Sequence, residues 1–259
     1  MLSRGLRVLY PPACPMCQRI RPMYTLVEEQ FCTSCERVLP IVRDSYCMKC
    51  GKVLDVSDAE YCRDCRSNLY AFNEGRGLFL HTSEIARIIY QLKFHHRREF
   101  GFLLGAYMAK EYHNLVRHWA VTEVIPIPLH PKKQRQRGYN QAEEIARGFV
   151  EYINKKEQTS LRITSHGKQD ESCQLILNTW ALLRIRHTKP QKGMKNSKRN
   201  QNLQGAFAIR KDWTPSKRVL LIDDIYTTGS TLHKVAKLLK KSGVHEVYYL
   251  TASIGQGLS

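Results

Sequence analysis

The chain has 259 residues and a hydrophobic content of 42%, which is enough for one large domain or two smaller domains with a buried core. Its 41 Lys and Arg residues outnumber its 23 Asp and Glu residues. The net charge of +18 favours a polyanionic partner, with solubilising surface charge as the alternative. No apolar run reaches the roughly 18 residues of a membrane helix, and residues 1–12 lack the features of a signal peptide. The sequence therefore predicts a cytoplasmic protein without a membrane span.

The first quarter of the chain is a cysteine module. Eight of the nine cysteines form four Cys-x-x-Cys pairs, which are Cys14/Cys17, Cys32/Cys35, Cys47/Cys50 and Cys62/Cys65. Two such pairs supply the four thiolates of a tetrahedral zinc site, whereas disulfides are rare in the cytoplasm. We predict two structural zinc ions, with the ligand pairs either sequential or interleaved. The ninth cysteine, Cys173, is predicted to be an inert thiol.

The next part of the chain predicts short apolar elements. In chain order these are an apolar run at Leu78–Leu80, a helix at Ile85–Phe94 with Ser83 as N-cap, a helix at Phe100–Tyr112 and a strand at Val124–Pro128. The prolines of that strand predict a position at the edge of a sheet. His95 and His96 lie in a basic stretch, and we expect both at the surface rather than in a ligand set.

A basic segment follows this strand. It holds four cations and no acid, namely Lys132, Lys133, Arg135 and Arg137. Such a segment can wrap a diphosphate or follow the phosphates of DNA. Tyr139 is predicted either to stack on a base or to pack in the core. A helix is then expected to about Val150, with a polar surface excursion over Lys155–Gln174.

A second basic segment extends from Arg184 to Arg218, where eleven Lys and Arg residues stand against a single acid, Asp212. The part up to Gly205 is predicted to be either a lid that closes over a diphosphate or a disordered basic loop. Residues 206–209 are strand-like.

The most informative segment is an apolar strand from Val219 that ends in two adjacent carboxylates, Asp223 and Asp224. Its unbroken apolar run is typical of a buried parallel strand. The turn that follows can direct its backbone N–H groups at an anion. This turn consists of Thr227, Thr228, Gly229, Ser230 and Thr231. Together these residues predict a sugar-phosphate site at the carboxyl end of a parallel strand.

An amphipathic helix and a last strand follow the turn. Four apolar residues share one face of this helix, namely Leu232, Val235, Ala236 and Leu239. Gly243 is predicted to cap its C-terminal end, and Glu246–Ile254 reads as the strand.

The paired acids and the turn resemble the phosphoribosyl pyrophosphate (PRPP) motif of type I phosphoribosyltransferases. The resemblance implies that Asp223 and Asp224 contact the ribose hydroxyls and are the candidate catalytic residues. It also implies that Thr227–Thr231 bind the 5′-phosphate, that the basic segment Lys132–Arg137 meets the pyrophosphate, and that Mg²⁺ accompanies PRPP.

The order of motifs along the chain is similar to that of the ComF family over essentially the whole length. The shared motifs are the four cysteine pairs, Gln91–Phe94, Pro126–Pro128, Arg137–Gln141 and the acid-turn signature. The resemblance implies an α/β fold, with a phosphoribosyltransferase-like parallel sheet flanked by helices over residues 71–259. An all-cysteine zinc-ribbon module over residues 1–70 precedes it.

The same resemblance implies a bacterial cytoplasmic protein of natural transformation that handles incoming single-stranded DNA. Its partners would be a DNA translocase or helicase and recombination mediators, through which it would lie at the inner face of the membrane. The alternative is an active phosphoribosyltransferase on an unidentified acceptor, with the two carboxylates steadying an oxocarbenium-like ribose. The sequence predicts neither a base-recognising hood nor a glutamine-hydrolysing nucleophile, so the transfer reaction stays open.

Overall fold

The structure is a computed structural model that describes residues 13–20, 31–55, 59–163, 174–186 and 205–257. Cys173 and residues 187–204 of the predicted lid lie outside the described residues. The strands are β1 (Glu74–Leu80), β2 (Glu123–Pro126), β3 (Ile176–Leu177), β4 (Leu182–Arg184), β5 (Phe207–Ile209), β6 (Arg218–Tyr226) and β7 (Glu246–Ile254). The helices are α1 (Thr33–Glu36), α2 (Arg63–Ser67), α3 (Ser83–Phe94), α4 (Arg98–Trp119), α5 (Pro131–Arg137), α6 (Gln141–Ile163) and α7 (Ser230–Lys241).

Five parallel strands form the central sheet in the order β1–β7–β6–β2–β3. Alternate residues of β6 face opposite sides: Leu220 and Ile222 join the core with α3, α4 and α6, whereas Val219 and Leu221 join the core with α7. Because helices cover both faces, this strand is apolar without alternation. The fold is the α/β phosphoribosyltransferase-like sheet that the sequence predicted.

Helices α4 and α6 approach each other closely because glycines remove side chains at the contact. A Cβ atom on Gly105 would collide with the Ile145 carbonyl group, and one on Gly148 would collide with the carbonyl group of Phe102. This pair of long helices is the main support of the sheet face that carries Leu220 and Ile222. No helix in the described part of the chain combines the length and the apolar content needed to cross a membrane.

Three local predictions were wrong. Thr82 is the N-cap of α3, with its Oγ1 accepting from the Ile85 N–H at 3.5 Å, and Ser83 is the first helical residue. Helix α6 continues to Ile163, so the predicted polar excursion begins as helix. Strand β2 lies between β6 and β3 rather than at an edge. The missing N–H of Pro126 is tolerated there because β3 pairs only with the first two residues of β2.

The second half of the cysteine module is joined to the sheet. The Tyr249 hydroxyl on β7 donates a 2.6 Å hydrogen bond to the Cys50 carbonyl oxygen. The Gly75 N–H on β1 donates to the Lys49 carbonyl oxygen at 3.1 Å, and the residue pair Ile41 and Phe79 forms an antiparallel bridge at the free edge of β1. The second half of the module is therefore held against β1 and β7 by both backbone and side-chain hydrogen bonds.

Candidate functional site

The candidate site lies at the topological switch point of the sheet, between β2 and β6. From β2 the chain continues outward to β3, whereas from β6 it continues in the opposite direction to β7. The loops that leave the carboxyl ends of these two neighbouring strands therefore diverge and leave a crevice between them, the usual ligand position in open α/β sheets. The basic segment follows β2, and the hydroxyl-rich turn follows β6.

The two carboxylates differ in their surroundings. An oxygen of Asp223 accepts the backbone N–H of Asp224 at 2.8 Å, while Asp224 Oδ2 lies 2.6 Å from the Lys93 ammonium. Burial and the negative charge of Asp224 raise the pKa of Asp223 to about 8. Burial also opposes the ionisation of Asp224, but the charge of Lys93 outweighs it and holds the pKa of Asp224 below its usual value. The pair therefore shares a proton near neutral pH, with the negative charge on Asp224.

The turn after β6 leads directly into the N-terminus of α7. Gly229 is the N-cap of α7 with φ +70°, and a Cβ atom there would overlap the Tyr226 ring. The Thr228 and Ser230 hydroxyls lie 3.0 Å apart. Thr227 is exposed, and Thr231 is half-buried in the first turn of α7. The 12-residue helix begins at this turn, so its unpaired N–H groups and positive dipole end favour a phosphate here.

Only two of the four predicted cations of the basic segment are partly buried, and one of them, Arg137, interacts with the charge of Asp224. Lys133 and Arg137, four residues apart on α5, are half-buried, whereas Lys132 and Arg135 on the other side of the helix are exposed. Burial lowers the pKa of Lys133, and the neighbouring charges of Arg184, Arg137 and Lys93 add to this effect. Sequence reasoning treated the four cations alike because it had no helix face to separate them.

Three further side chains join this cluster, of which the sequence analysis gave only Arg184 a possible role, as the first residue of the predicted lid. Burial lowers the pKa of Arg184 while the charge of Asp223 opposes it, and the charge of Asp224 acts on Arg137 in the same way. The sequence analysis placed Lys93 in the Gln91–Phe94 motif but predicted no contact between Lys93 and the carboxylates. His81, just after β1, lies 2.8 Å through Nδ1 from the Ser253 hydroxyl of β7. Burial lowers the pKa of His81, and the charge of Lys93 adds to this effect.

The site thus sets four cations around two acids that carry about one negative charge. The cations come from separate elements, which are Lys93 on α3, Lys133 and Arg137 on α5, and Arg184 on β4. A crevice with such an excess of positive charge attracts an anion, and its walls of Lys and Arg donors suit phosphate groups.

The Arg137–Gln141 motif shapes the loop. The Tyr139 side chain is buried and its hydroxyl donates to the Leu92 carbonyl oxygen, so it packs and cannot stack on a base. The Asn140 amide donates to the Ile127 carbonyl oxygen at 3.0 Å and accepts the Ala142 N–H at 3.2 Å. Gln141 accepts a hydrogen bond from Arg137, which fixes this guanidinium beside the crevice. His95 and His96 are exposed, as predicted.

The cysteines form two separate clusters, built from consecutive pairs. One contains Cys14, Cys17, Cys32 and Cys35, and the other contains Cys47, Cys50, Cys62 and Cys65, with all Sγ atoms of a cluster within 4.8 Å of one another. The Sγ atoms of Cys17 and Cys32 are 3.7 Å apart, and those of Cys50 and Cys62 are 3.6 Å apart. Zinc–sulfur bonds of about 2.3 Å in a tetrahedron place sulfurs roughly 3.8 Å apart. Both clusters therefore fit a structural zinc ion with four thiolate ligands.

The two clusters differ in access. Cys17 is exposed and Cys32 is half-buried in the first cluster, whereas Cys47, Cys50 and Cys62 in the second are at most 1% exposed. The second cluster is also connected to the predicted phosphate-binding turn Thr227–Thr231, which is called the phosphate loop below. Tyr249, which donates to Cys50, stacks on Tyr226 with ring centroids 5.1 Å apart, and Tyr226 lies beneath Gly229.

Known domain models match both parts of the chain. A double zinc ribbon domain matches residues 5–66, and a phosphoribosyl transferase domain matches residues 183–252. The first agrees with the two cysteine clusters, and the second covers β6, the phosphate loop, α7 and most of β7.

Curated relatives carry names from DNA uptake and use. Competence protein F of Haemophilus influenzae is 34% identical over 126 residues, which are 48% of this chain and 46% of that protein. Competence protein ComFC of Streptococcus pneumoniae is 28% identical over 66% of this chain and 64% of its own length. DNA utilization protein YhgH of Escherichia coli K12 is 24% identical over 63% of this chain and 64% of its own length. The matches thus span from about half to just under two thirds of these relatives. Both domain matches and the names of these relatives agree with the resemblance to the ComF family that the motifs carry.

Proposed function

We propose that this protein takes part in DNA uptake, handles single-stranded DNA in the cytoplasm, and retains a PRPP-type sugar-phosphate site. The names of the relatives support the role in DNA uptake. By the family resemblance, its partners are a DNA translocase or helicase and recombination mediators at the inner face of the membrane. We also propose that residues 1–70 and 71–259 are its two domains.

One arrangement carries the proposal of a retained sugar-phosphate site. The carboxylates of Asp223 and Asp224 lie near the end of β6, which leads into the N-terminus of α7, and the charges of Lys93, Arg137 and Arg184 act on them. Ribose hydroxyls need acceptors, a 5′-phosphate needs N–H donors, and a diphosphate with Mg²⁺ needs cations and carboxylates. The crevice offers all three within one site.

Isothermal titration with PRPP and Mg²⁺ tests this site. We expect binding to the unaltered protein and a loss of at least tenfold in affinity for Asp223→Asn/Asp224→Asn, because both ribose and Mg²⁺ contacts would be lost. The matched control is Asp212→Asn, since Asp212 is an exposed acid paired with Arg210 at 3.1 Å. An unaltered protein that binds no PRPP with Mg²⁺ refutes the retained site.

The proposed DNA contact uses the exposed cations of the basic segment. Lys132 and Arg135 are exposed, and phosphate contacts by such residues are sensitive to salt. We expect Lys132→Ala/Arg135→Ala to weaken the binding of single-stranded DNA and to reduce its dependence on salt between roughly 50 and 200 mM. The control Lys240→Ala/Lys241→Ala removes two charges from the far end of α7. Equal losses in both variants would contradict a localised DNA contact.

An active phosphoribosyltransferase remains the second candidate, favoured by the position of Lys133, Arg137 and Arg184. These cations would stabilise departing pyrophosphate while the carboxylates steady the cationic ribose. Release of pyrophosphate from PRPP on addition of a nucleobase or an amine, absent in Asp223→Asn/Asp224→Asn, would establish this activity. Binding of PRPP without such release would assign the site to ligand sensing.

A further inference from the structure

Helix α3 presents an aromatic and basic stripe to solvent. Its buried face consists of Ile85, Ile88, Ile89 and Leu92. The opposite face carries Arg87, Tyr90, Gln91 and Phe94, which are spaced i, i+3, i+4 and i+7 and therefore lie in one row. Tyr90 is 54% exposed and Phe94 is 59% exposed, so neither ring serves the core.

The two exposed rings form a continuous surface with the cations around them. The ring centroids of Tyr90 and Phe94 are 4.8 Å apart, and the His95 ring lies 5.4 Å from Tyr90. The Arg137 guanidinium sits 5.4 Å from the centre of the Phe94 ring. Tyr90 also lines a concavity of about 450 Å³, together with Gln18, Arg87, Gln91, His95 and Arg97.

Two acidic side chains reduce the positive charge of this surface but do not make it negative. Arg97 forms an ion pair with Glu99 at 2.6 Å. Glu84 lies in the first turn of α3, where hydrogen bonds to its own backbone N–H and to Thr82 and Ser83 lower its pKa and the charge of Arg87 adds a smaller effect. Arg137 and the two histidines add donors at the opposite end of the stripe.

Exposed aromatic rings that are flanked by cations suit a polymer that has both aromatic faces and negative charge. Single-stranded nucleic acid has these features, because every base can stack on an aromatic ring and every linkage carries a phosphate. The Gln91 amide between the rings can donate to and accept from base edges. An apolar protein segment would gain nothing from the arginines.

We propose that this stripe, formed by Arg87, Tyr90, Gln91 and Phe94, is a base-stacking track for single-stranded nucleic acid. The track leads to the candidate site, because Lys93 lies next to Phe94 and reaches Asp224, and Arg137 lies over Phe94. The phosphates of a strand on the track can continue onto the basic segment. The proposal rests on the nucleic-acid part of the proposed function and names the surface that contacts the bases.

The test compares a stacking strand with one that has no bases. Fluorescence anisotropy measures the binding of an oligothymidine of about 20 nucleotides and of an abasic strand of equal length. We expect Tyr90→Ala/Phe94→Ala to bind oligothymidine at least about tenfold more weakly, while its affinity for the abasic strand stays that of the unaltered protein. Tyr90→Trp/Phe94→Trp should retain full affinity, since indole rings also stack. The control Val38→Ala/Leu69→Ala removes two other exposed apolar side chains.

The outcomes separate this proposal from the proposed function. If the unaltered protein binds no oligothymidine at roughly 50 mM salt, the nucleic-acid function fails and the track with it. If it binds but Tyr90→Ala/Phe94→Ala binds equally well, only the track is refuted, and the face is left to a protein partner. An equal loss on the abasic strand also refutes stacking. Equal binding of oligouridine supports it, because stacking does not depend on the sugar.

Discussion

The Tyr70 hydroxyl donates a 3.0 Å hydrogen bond to the carbonyl oxygen of Thr228, in the middle of the phosphate loop. The next residue, Ala71, donates its backbone N–H to His233 Nδ1 at 3.0 Å, one turn into α7. The segment that joins the second cysteine cluster to β1 therefore holds the loop and the helix at once. Burial raises the pKa of Tyr70, which keeps its hydroxyl protonated as a donor.

We expect Tyr70→Phe to weaken PRPP and Mg²⁺ binding several-fold and to lower stability by about 1 kcal/mol, the typical net value of one hydrogen bond. The ring and its stacking on Phe72 are kept in this variant. Titration calorimetry and thermal unfolding measure the two effects, with Tyr61→Phe at an exposed tyrosine as the control. An unchanged affinity would show that the loop keeps its shape without Tyr70.

Gly229 and Gly138 form a matched pair for testing the phosphate loop. Both have positive φ, at +70° and +83°, but a Cβ atom would strike Tyr226 at Gly229 and would meet nothing within 4 Å at Gly138. We expect Gly138→Ala to cost about 1–2 kcal/mol of unfolding free energy from backbone strain alone. Gly229→Ala should cost more than that and should also abolish ligand binding. Urea unfolding of both variants gives the difference, and equal costs would contradict the proposed crowding at Tyr226.

The raised pKa of Asp223 predicts how stability and binding change with pH. The folded protein keeps this proton up to about pH 8, whereas the unfolded chain loses it near pH 3.8. Because the folded state binds more protons in this window, its stability falls as pH rises, while affinity for a Mg²⁺-bound ligand rises. Asp223→Asn should remove both trends and raise the melting temperature at pH 8 by about 2–4 °C or more.

Thermal unfolding and PRPP titration from pH 5 to about 8.5 check this prediction. Asp212→Asn is again the control, because the hydrogen bonds from Arg210 lower the pKa of Asp212 from a value that already lies below the window, so this carboxyl does not titrate within it. A stability profile of Asp223→Asn that falls as steeply as that of the unaltered protein would assign the slope to other groups.

The two cysteine clusters should lose metal at different rates. We expect two zinc ions per chain, with the ion of the Cys14–Cys35 cluster released first by a chelator because Cys17 is exposed. The other ion should leave slowly, since Cys47, Cys50 and Cys62 are buried. A colorimetric zinc assay follows the release. Cys17→Ser should remove only the fast phase and Cys62→Ser only the slow one, whereas a single phase in the unaltered protein would contradict independent sites.

Much of the fold was predictable because its signals are local. The apolar run before Asp223 and Asp224, the glycine of the loop and the stripe of α7 each arise from neighbouring residues. The contact of Lys93 with Asp224 joins residues 131 positions apart, and no spacing rule reaches that far. The different exposure of the cations on α5 was not predictable either, because the sequence analysis did not predict this helix. Which Cys-x-x-Cys pairs share a metal site likewise depends on the path of the chain between the pairs. The spacing of the cysteines alone does not determine this path.

The pairing of consecutive cysteines has a consequence for how the chain folds during synthesis. Each ligand set spans only about 20 residues, so closing it costs little chain entropy and needs no part of the sheet. Both metal sites can therefore form while the ribosome is still making β2. The contact of the second cluster with the sheet must form later, because Tyr249, which donates to Cys50, belongs to the last strand, β7. We therefore expect an early, metal-bound intermediate whose second ribbon docks only when synthesis has passed residue 254, and with that docking the phosphate loop receives its final support.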